Sequence, residues 1–328
     1  MGSAITTRPF RFGLQAFEAS SADDWFGTVR RAEQLGYSTL FTSDHYFGPG
    51  DIATEMSHRP IDVAPLTSIA MAAAITSTLR VGCRVFACDF HHPVVLAKEL
   101  ATLDMLSGGR LEVGLGAGWT AAEYDGLGIP MDSPGTRISR LAEYINLMRA
   151  HWNGDPINIS GTHVNVHGFA GRPLPVQQPH PPIMIGGGAP RILRLAGREA
   201  DIVSLNFNNS TGKLGAASVA GSGLDVTREK IGWVREGAGD RFDQIELEIG
   251  AYFVAVGDDV ASQMEPMAER YGVSTDELLS HPHGLFGSVA EICDTIVARR
   301  EQLGISYVTI AQRNMDEFAP VVAALAGT

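Results

Sequence analysis

Asp44 and His45 stand side by side after the short apolar run 38–43 and just before the aromatic pair Tyr46 and Phe47. An imidazole changes charge near neutral pH, so His45 at such a place can give or take a proton. The same pair also suits a capping Asp and an orienting His in a loop. Two glycine clusters follow further along the chain. Gly114-Leu115-Gly116-Ala117-Gly118-Trp119 closes the run 109–115, and its glycines let a planar ligand and its chain approach the backbone, with Trp119 as a wall. A tight turn with Trp119 packed in the core is the plainer alternative. Gly186-Gly187-Gly188-Ala189-Pro190-Arg191 lies between the run 183–185 and a helix with Pro190 in its first turn. Backbone N–H groups at such a helix start bind phosphate, although an ordinary strand-to-helix turn has the same composition.

Other chemistries find less support. The Asp or Glu expected about 20 residues after a dinucleotide-binding glycine loop does not follow at a strand end. No G-x-S-x-G elbow is present, and Cys83 and Cys88 have no basic neighbour in sequence, which leaves nucleophilic catalysis with little basis. His91-His92, His163 with His167, and His281-Pro282-His283 lack the accompanying Glu or Cys of metal sites; they read as solvated loop histidines, and no metal is expected. The 25 basic and 37 acidic residues leave a formal net charge of −12, which argues against nucleic acid or an anionic membrane as partner. An anionic cofactor therefore needs local positive sites. Three cysteines without a C-x-x-C pair, and no apolar run of signal or membrane-spanning length, give a cytoplasmic expectation.

The elements that must position these residues alternate along the chain. Strand-like runs fall at 10–16, 38–43, 79–86, 109–115, 183–185, 201–205, 245–256 and 306–311, separated by helical periodicities such as 22–35, 65–77, 93–106, 190–198, 225–236 and 289–303. Eight strands joined by right-handed helical crossovers close into a (β/α)8 TIM barrel, here a single domain over 1–328. Two excursions break the rhythm: the Pro- and Gly-rich stretch 151–182, with a hairpin near 157–166, and the Gly/Ser tract 206–223, read as a mobile loop. In a barrel, function collects at the carboxyl ends of the strands. Those ends are Gln15; Asp44 and His45; 83–89; 116–119; 186–188; Asn206; Phe253; and 312–314. Gln15, Trp119 and Phe253 are the candidates for a substrate pocket.

These residues have a family resemblance. Ser43-Asp44-His45, Leu96-Ala97-Lys98-Glu99-Leu100-Ala101-Thr102-Leu103-Asp104 with Leu106-Ser107-Gly108-Gly109-Arg110, the glycines of 114–118, those of 186–188, and Ala196-Gly197-Arg198-Glu199-Ala200-Asp201 closely resemble the bacterial luciferase-like superfamily. The Leu-Ala-Lys to Gly-Gly-Arg segment looks more like the coenzyme F420-dependent oxidoreductase branch than like luciferase itself. The resemblance implies a TIM barrel with a flavin or deazaflavin ring at the mouth and its phosphate held by Gly187, Gly188 and Ala189. It places Asp44 and His45 beside the ring, with His45 in proton transfer, and Ala117 and Gly118 against it. It also implies a cis non-prolyl peptide within Cys83-Arg84-Val85, a stretch that props the ring. F420-dependent sugar dehydrogenases carry a glutamate where this chain has Trp119, which points to an apolar or aromatic substrate; Glu123 lies four residues on. The expected reaction is hydride exchange between F420 and a small organic substrate. The alternatives are an FMN-dependent monooxygenase, since a deazaflavin lacks the nitrogen at which a flavin activates oxygen, and a non-catalytic flavin-binding protein. A homodimer is implied by the same resemblance.

Overall fold

In the computed structural model, residues 8–56, 58–209 and 216–328 are described. The strands are β1 (Arg11–Gln15), β2 (Thr39–Thr42), β3 (Arg80–Ala87), β4 (Leu111–Gly116), β5 (Pro156–Ser160), β6 (Asn165–Ala170), β7 (Ile183–Gly187), β8 (Ile202–Leu205), β9 (Glu246–Ala251), β10 (Phe253–Val256), β11 (Gly284–Gly287) and β12 (Ile305–Ala311). The helices are α1 (Ala22–Gln34), α2 (Asp51–Glu55), α3 (Pro65–Ile75), α4 (Pro93–Leu106), α5 (Ala121–Gly126), α6 (Pro134–Asn153), α7 (Pro190–Glu199), α8 (Ala216–Ala220), α9 (Leu224–Ala238), α10 (Ala261–Tyr271), α11 (Thr275–Ser280), α12 (Val289–Leu303) and α13 (Met315–Leu325). β1, β2, β3, β4, β7, β8, β9 and β12 close into an all-parallel barrel in that order. This is the expected (β/α)8 barrel.

Local chemistry explains the elements. Ser21 caps α1 by accepting from the Asp24 amide, while Trp25, Val29 and Ala32 recur at helical spacing and are buried. α12 opens with a Ser288/Glu291 capping box and stops at Gly304, whose φ of 74° is the left-handed conformation that ends helices. The barrel strands are buried on both faces; β2, β4, β8 and β9 are buried throughout, as a helix-covered parallel sheet requires.

Three expectations change. The run 245–256 is two strands: β9 stays in the barrel, while β10 leaves it and pairs with β11. The break falls at Tyr252, whose ring stacks on His283, while the Phe253 amide donates to the His283 carbonyl at 3.1 Å. The excursion 151–182 does carry its hairpin, with β5 antiparallel to β6. Within the tract expected as a mobile loop, 210–215 lies outside the described residues, and α8 occupies 216–220. The histidines His281 and His283, read as solvated, are buried, because α8, α10, α11, β10 and β11 enclose a second small core around Phe207, Phe253 and Leu278.

Candidate active site

The carboxyl ends of the barrel strands open on a cavity of about 650 Å³. Its wall includes Gln15, Asp44, His45, Arg84, Val85, Ala117, Gly118, Trp119, Gly187, Gly188, Ala189 and Phe253. Cys83 is the expected site residue that lies off it. Its side chain is fully buried in the main core, and burial raises its thiol pKa well above the usual value. Phe253 reaches the wall but is only 2% exposed and belongs mostly to the second core.

His45 is held by a residue 78 positions away. Its Nδ1 is 2.6 Å from Glu123 Oε2, while Glu123 Oε1 accepts the Tyr46 amide at 2.7 Å. One buried carboxylate at the start of α5 thus fixes both the imidazole and the loop that carries it. A neutral ring donating from Nδ1 keeps its lone pair on Nε2. Trp119 meets the ring edge-on at 6.0 Å, and Phe47 and His58 stand at 5.6 Å.

Asp44 does not pair with His45. Its Oδ2 accepts from the Ala87 amide and from His91 Nε2, both at 2.8 Å, tying the end of β3 to the turn before α4. His91, read as a solvated loop residue, is therefore half-buried and engaged. Asp44 Oδ1 is buried as well.

The peptide between Arg84 and Val85 is cis, within the stretch where the resemblance implies one, and the register of β3 against β4 shifts between Cys83 and Phe86. Arg84 turns into the barrel, where Nε lies 3.1 Å from Glu248 Oε1 and Nη1 lies 3.3 Å from both Gln15 Oε1 and Tyr252 Oη. The Tyr252 hydroxyl in turn donates to Asn206 Oδ1. Gly118 adopts a φ of 69° above the Tyr124 hydroxyl, where a Cβ would come within 2.0 Å of that oxygen. Gly116, in contrast, serves the sheet: a Cβ there would stand 2.5 Å from Val85 Cγ2.

Also on the cavity wall, β7 leads through Gly187, Gly188 and Ala189 into the first turn of α7, with Pro190 at its start. Gly188 runs against the end of β8 so closely that a Cβ would lie 2.2 Å from the Phe207 carbonyl oxygen. Arg137 of α6 lines the same cavity and bonds the Ala117 carbonyl through Nε at 3.0 Å. Helix-start amides and a guanidinium on the wall of one cavity are groups of the kind that bind phosphate. The residues present fit a flat ring with a phosphate-bearing tail.

Four wall residues escaped the sequence reading. Glu123 was in view but could not be assigned, because only the direction of α5 brings it to His45. Tyr252 was hidden inside one long apolar run. Arg137 gave no local signal, and neither did His58. The His58 Nδ1 lies 2.7 Å from the Arg59 carbonyl oxygen; burial first, and then repulsion by His45, lower its pKa to about 4, so it is neutral near pH 7.

Residues 6–292 match the model of the luciferase-like monooxygenase family. The chain is 32% identical over 201 residues to the uncharacterized protein Rv0953c of Mycobacterium tuberculosis, covering 58% of this chain and 70% of that one. It is 30% identical over 211 residues to an F420-dependent glucose-6-phosphate dehydrogenase of Gordonia bronchialis, covering 63% and 56%. It is 32% identical over 120 residues to an FMNH2-dependent dimethylsulfone monooxygenase of Pseudomonas putida, covering 37% and 33%. The chain thus spans about half or less of the length of these last two. The solved structure of the F420-dependent tetrahydromethanopterin reductase from Methanopyrus kandleri superposes with a TM-score of 0.73 at 18% identity, covering 97% of this chain and 99% of that one, a likeness of fold. With a closed parallel barrel and a family match over most of its length, the chain belongs to the luciferase-like monooxygenase family, which includes both F420-dependent and FMN-dependent relatives.

Proposed function

We propose that this protein is an F420-dependent oxidoreductase in which His45 moves the proton that accompanies hydride exchange with a small organic substrate. The observation that carries the reading is His45, clamped by Glu123 on the wall of a cavity that the glycines before α7 also line. The longer match to the F420-dependent relative than to the FMN-dependent one supports the choice of cofactor. Gly187, Gly188, Ala189 and Arg137 would hold the phosphate, and Ala117, Gly118 and Val85 would flank the ring. When bound, the deazaflavin supplies a ring carbon that takes or gives a hydride.

The chain's own residues handle the rest. Glu123 accepts from Nδ1 and so leaves Nε2 of His45 as the atom that takes a proton from a substrate hydroxyl, or returns it. The buried carboxylate also stabilises the imidazolium that forms. Trp119 and Phe17, packed against the buried Phe47, make this side of the wall apolar and limit water there. An FMN-dependent monooxygenase is the second reading, supported by the Pseudomonas relative.

Titrating the apoprotein with F420 and with FMN, followed by cofactor fluorescence, separates the two; selective micromolar FMN binding would reverse the assignment. With F420 bound, His45→Ala is expected to slow turnover about 100-fold to 10,000-fold while cofactor affinity holds. Unchanged turnover would remove His45 from the reaction.

A further inference from the structure

A second imidazole stands on the cavity wall beside His45. His58 lines the same cavity, with its ring centre 5.6 Å from that of His45 and the two ring planes at 50°. It lies in the segment between α2 and α3, which is pinned from several sides. The His58 amide donates to the Ala53 carbonyl at 3.0 Å, the Ile61 amide to the Phe47 carbonyl at 3.1 Å, and the Asp62 amide to the Phe17 carbonyl at 3.0 Å. The ring itself stands among aromatic neighbours, 5.4 Å from the Phe17 ring centre and 5.8 Å from that of Phe47. An imidazole held in this way is in place before any ligand arrives.

The partners of the two rings fix which nitrogen carries the proton. A carbonyl oxygen can only accept, so the 2.7 Å contact of His58 Nδ1 with the Arg59 carbonyl makes Nδ1 the N–H of the neutral ring and leaves the lone pair on Nε2. His45 has the same tautomer through Glu123. Among the described residues no hydrogen bond reaches Nε2 of either ring, and neither atom is buried. The wall therefore presents two neighbouring acceptors.

They differ in what they can do. Glu123 stabilises a proton on His45, whereas burial, and then the charge of His45, lower the pKa of His58 to about 4. The Arg59 carbonyl and Glu123 act on His58 in the opposite direction and are outweighed. Near pH 7 His58 thus accepts a hydrogen bond and does not take the proton. An alcohol that meets His45 alone satisfies one of the two lone pairs. A second hydroxyl on the adjoining carbon satisfies the other.

We propose that His58 is a substrate-binding residue whose Nε2 accepts from a second hydroxyl, next to the one that reacts at His45, so that the substrate is a vicinal diol with an apolar body against Phe17 and Trp119. The assignment of the first hydroxyl to His45 rests on the redox reading of the cavity given above. In the oxidising direction the O–H proton of the reacting carbinol passes to His45 Nε2, the hydride on the same carbon goes to the cofactor's ring carbon, and the C–O bond becomes C=O. The second hydroxyl keeps its proton throughout, and the product is an α-hydroxy ketone.

Calorimetric titration of the full chain with 1-phenylethane-1,2-diol, with 2-methoxy-1-phenylethanol and with 1-phenylethanol tests it, any bound F420 or FMN being kept reduced so that the alcohols are not oxidised. The ether keeps the second oxygen of the diol and loses only its hydrogen. The diol is expected to bind about fivefold to tenfold more tightly than either of the others, the worth of one hydrogen bond. His58→Phe, which keeps an aromatic ring in place, is expected to erase that preference, and His58→Gln, whose side-chain oxygen accepts near the place of Nε2, to retain most of it. In nitrogen-15 spectra of the unaltered chain the diol should move the His58 Nε2 signal and the ether should leave it in place. Equal binding of diol and ether overturns the proposal, as does a preference that survives in His58→Phe, which would give the second hydroxyl another acceptor. Loss of the preference in both variants overturns it too, since His58 would then act only through the fold, and so does failure of all three alcohols to bind. If the unaltered chain binds neither F420 nor FMN, the redox reading falls, while a His58-dependent preference for the diol stands on its own.

Discussion

His45 and His58 have ring centres 5.6 Å apart and different partners. His45 has a carboxylate at 2.6 Å, whereas His58 has the Arg59 carbonyl and an aromatic surround of Phe17 and Phe47. The folded pKa of His58, about 4, lies below the ordinary value of 6.5. Between those values the unfolded chain binds a proton that the folded chain refuses, so stability rises with pH through this window. The contribution is fully present above about pH 6.5 and is lost as pH falls toward 4, amounting to roughly 2–3 kcal/mol. His58→Asn should therefore flatten the pH dependence of urea unfolding between pH 4.5 and 7 relative to the unaltered chain. Parallel curves would show that His58 is not held neutral. Which residues the sequence made visible follows from distance along the chain. Asp44 and His45 were legible because a strand end and its chemistry are adjacent. Glu123 was not assignable, since its bond to His45 depends on how α5 leaves β4. Cys83 was expected beside the cavity, yet its neighbour Arg84 faces the barrel interior while Cys83 faces the surrounding core.

The elements around β9 show how a break in a strand builds one wall of the site. Leaving the barrel after Ala251 frees Tyr252 to reach Asn206 and Arg84, and carries β10 to β11 over a small core of its own. Apolar periodicity along 245–256 gave no sign of that break, because both pieces are buried strands. The segment before α9 is tied to this wall by Lys230, whose Nζ donates to the Asn206 carbonyl at 2.7 Å and to Ser222 Oγ at 3.3 Å. Burial lowers its pKa to about 8, so near pH 7 it is still mostly charged. Hydrogen bonds from a charged donor contribute about 1.5–3 kcal/mol. Lys230→Met keeps the apolar stem and removes both bonds, and is expected to speed amide exchange at 216–222 by about tenfold or more, with the barrel strands unaffected. Equal exchange in the two proteins would mean that the segment is held by the small core, for instance by His281 Nε2 on the Val219 carbonyl at 3.0 Å.

At the scale of the whole molecule the barrel separates two polar ends. The carboxyl ends of the strands hold the cavity, while the amino ends close over a network of charges that the sequence scatters widely. Glu112, fully buried, accepts from Arg80 Nε at 2.8 Å, from Thr39 Oγ1 and Tyr307 Oη at 3.2 Å each, and from the Arg11 guanidinium. Arg11 also bonds Glu246 Oε2 at 2.8 Å, and its guanidinium sits 4.3 Å from the Tyr307 ring centre. In sequence each of these charges stands at or near the start of a strand; only closure of the barrel brings them together. The eight strands were legible from their alternation with helices, but the polar plug was not, because no two of its charged members are neighbours in the chain. Glu112→Gln keeps the shape and leaves two guanidinium groups facing a neutral amide. Removing one partner from a buried ion network costs about 3–5 kcal/mol, because the remaining charges lose compensation without regaining water. Partial exposure of Arg11 and Arg80, 27% and 28% for their side chains, together with the second bond of Arg11 to Glu246, puts the expectation at the lower end of that range. Urea unfolding of the variant should show that loss, while probe and cofactor affinities in the folded protein stay within about twofold, since conserved-shape changes at the amino end of a barrel act on stability and not on the mouth. A loss below about 1 kcal/mol would mean that water reaches the network and that hydrophobic packing alone closes the amino end of the barrel.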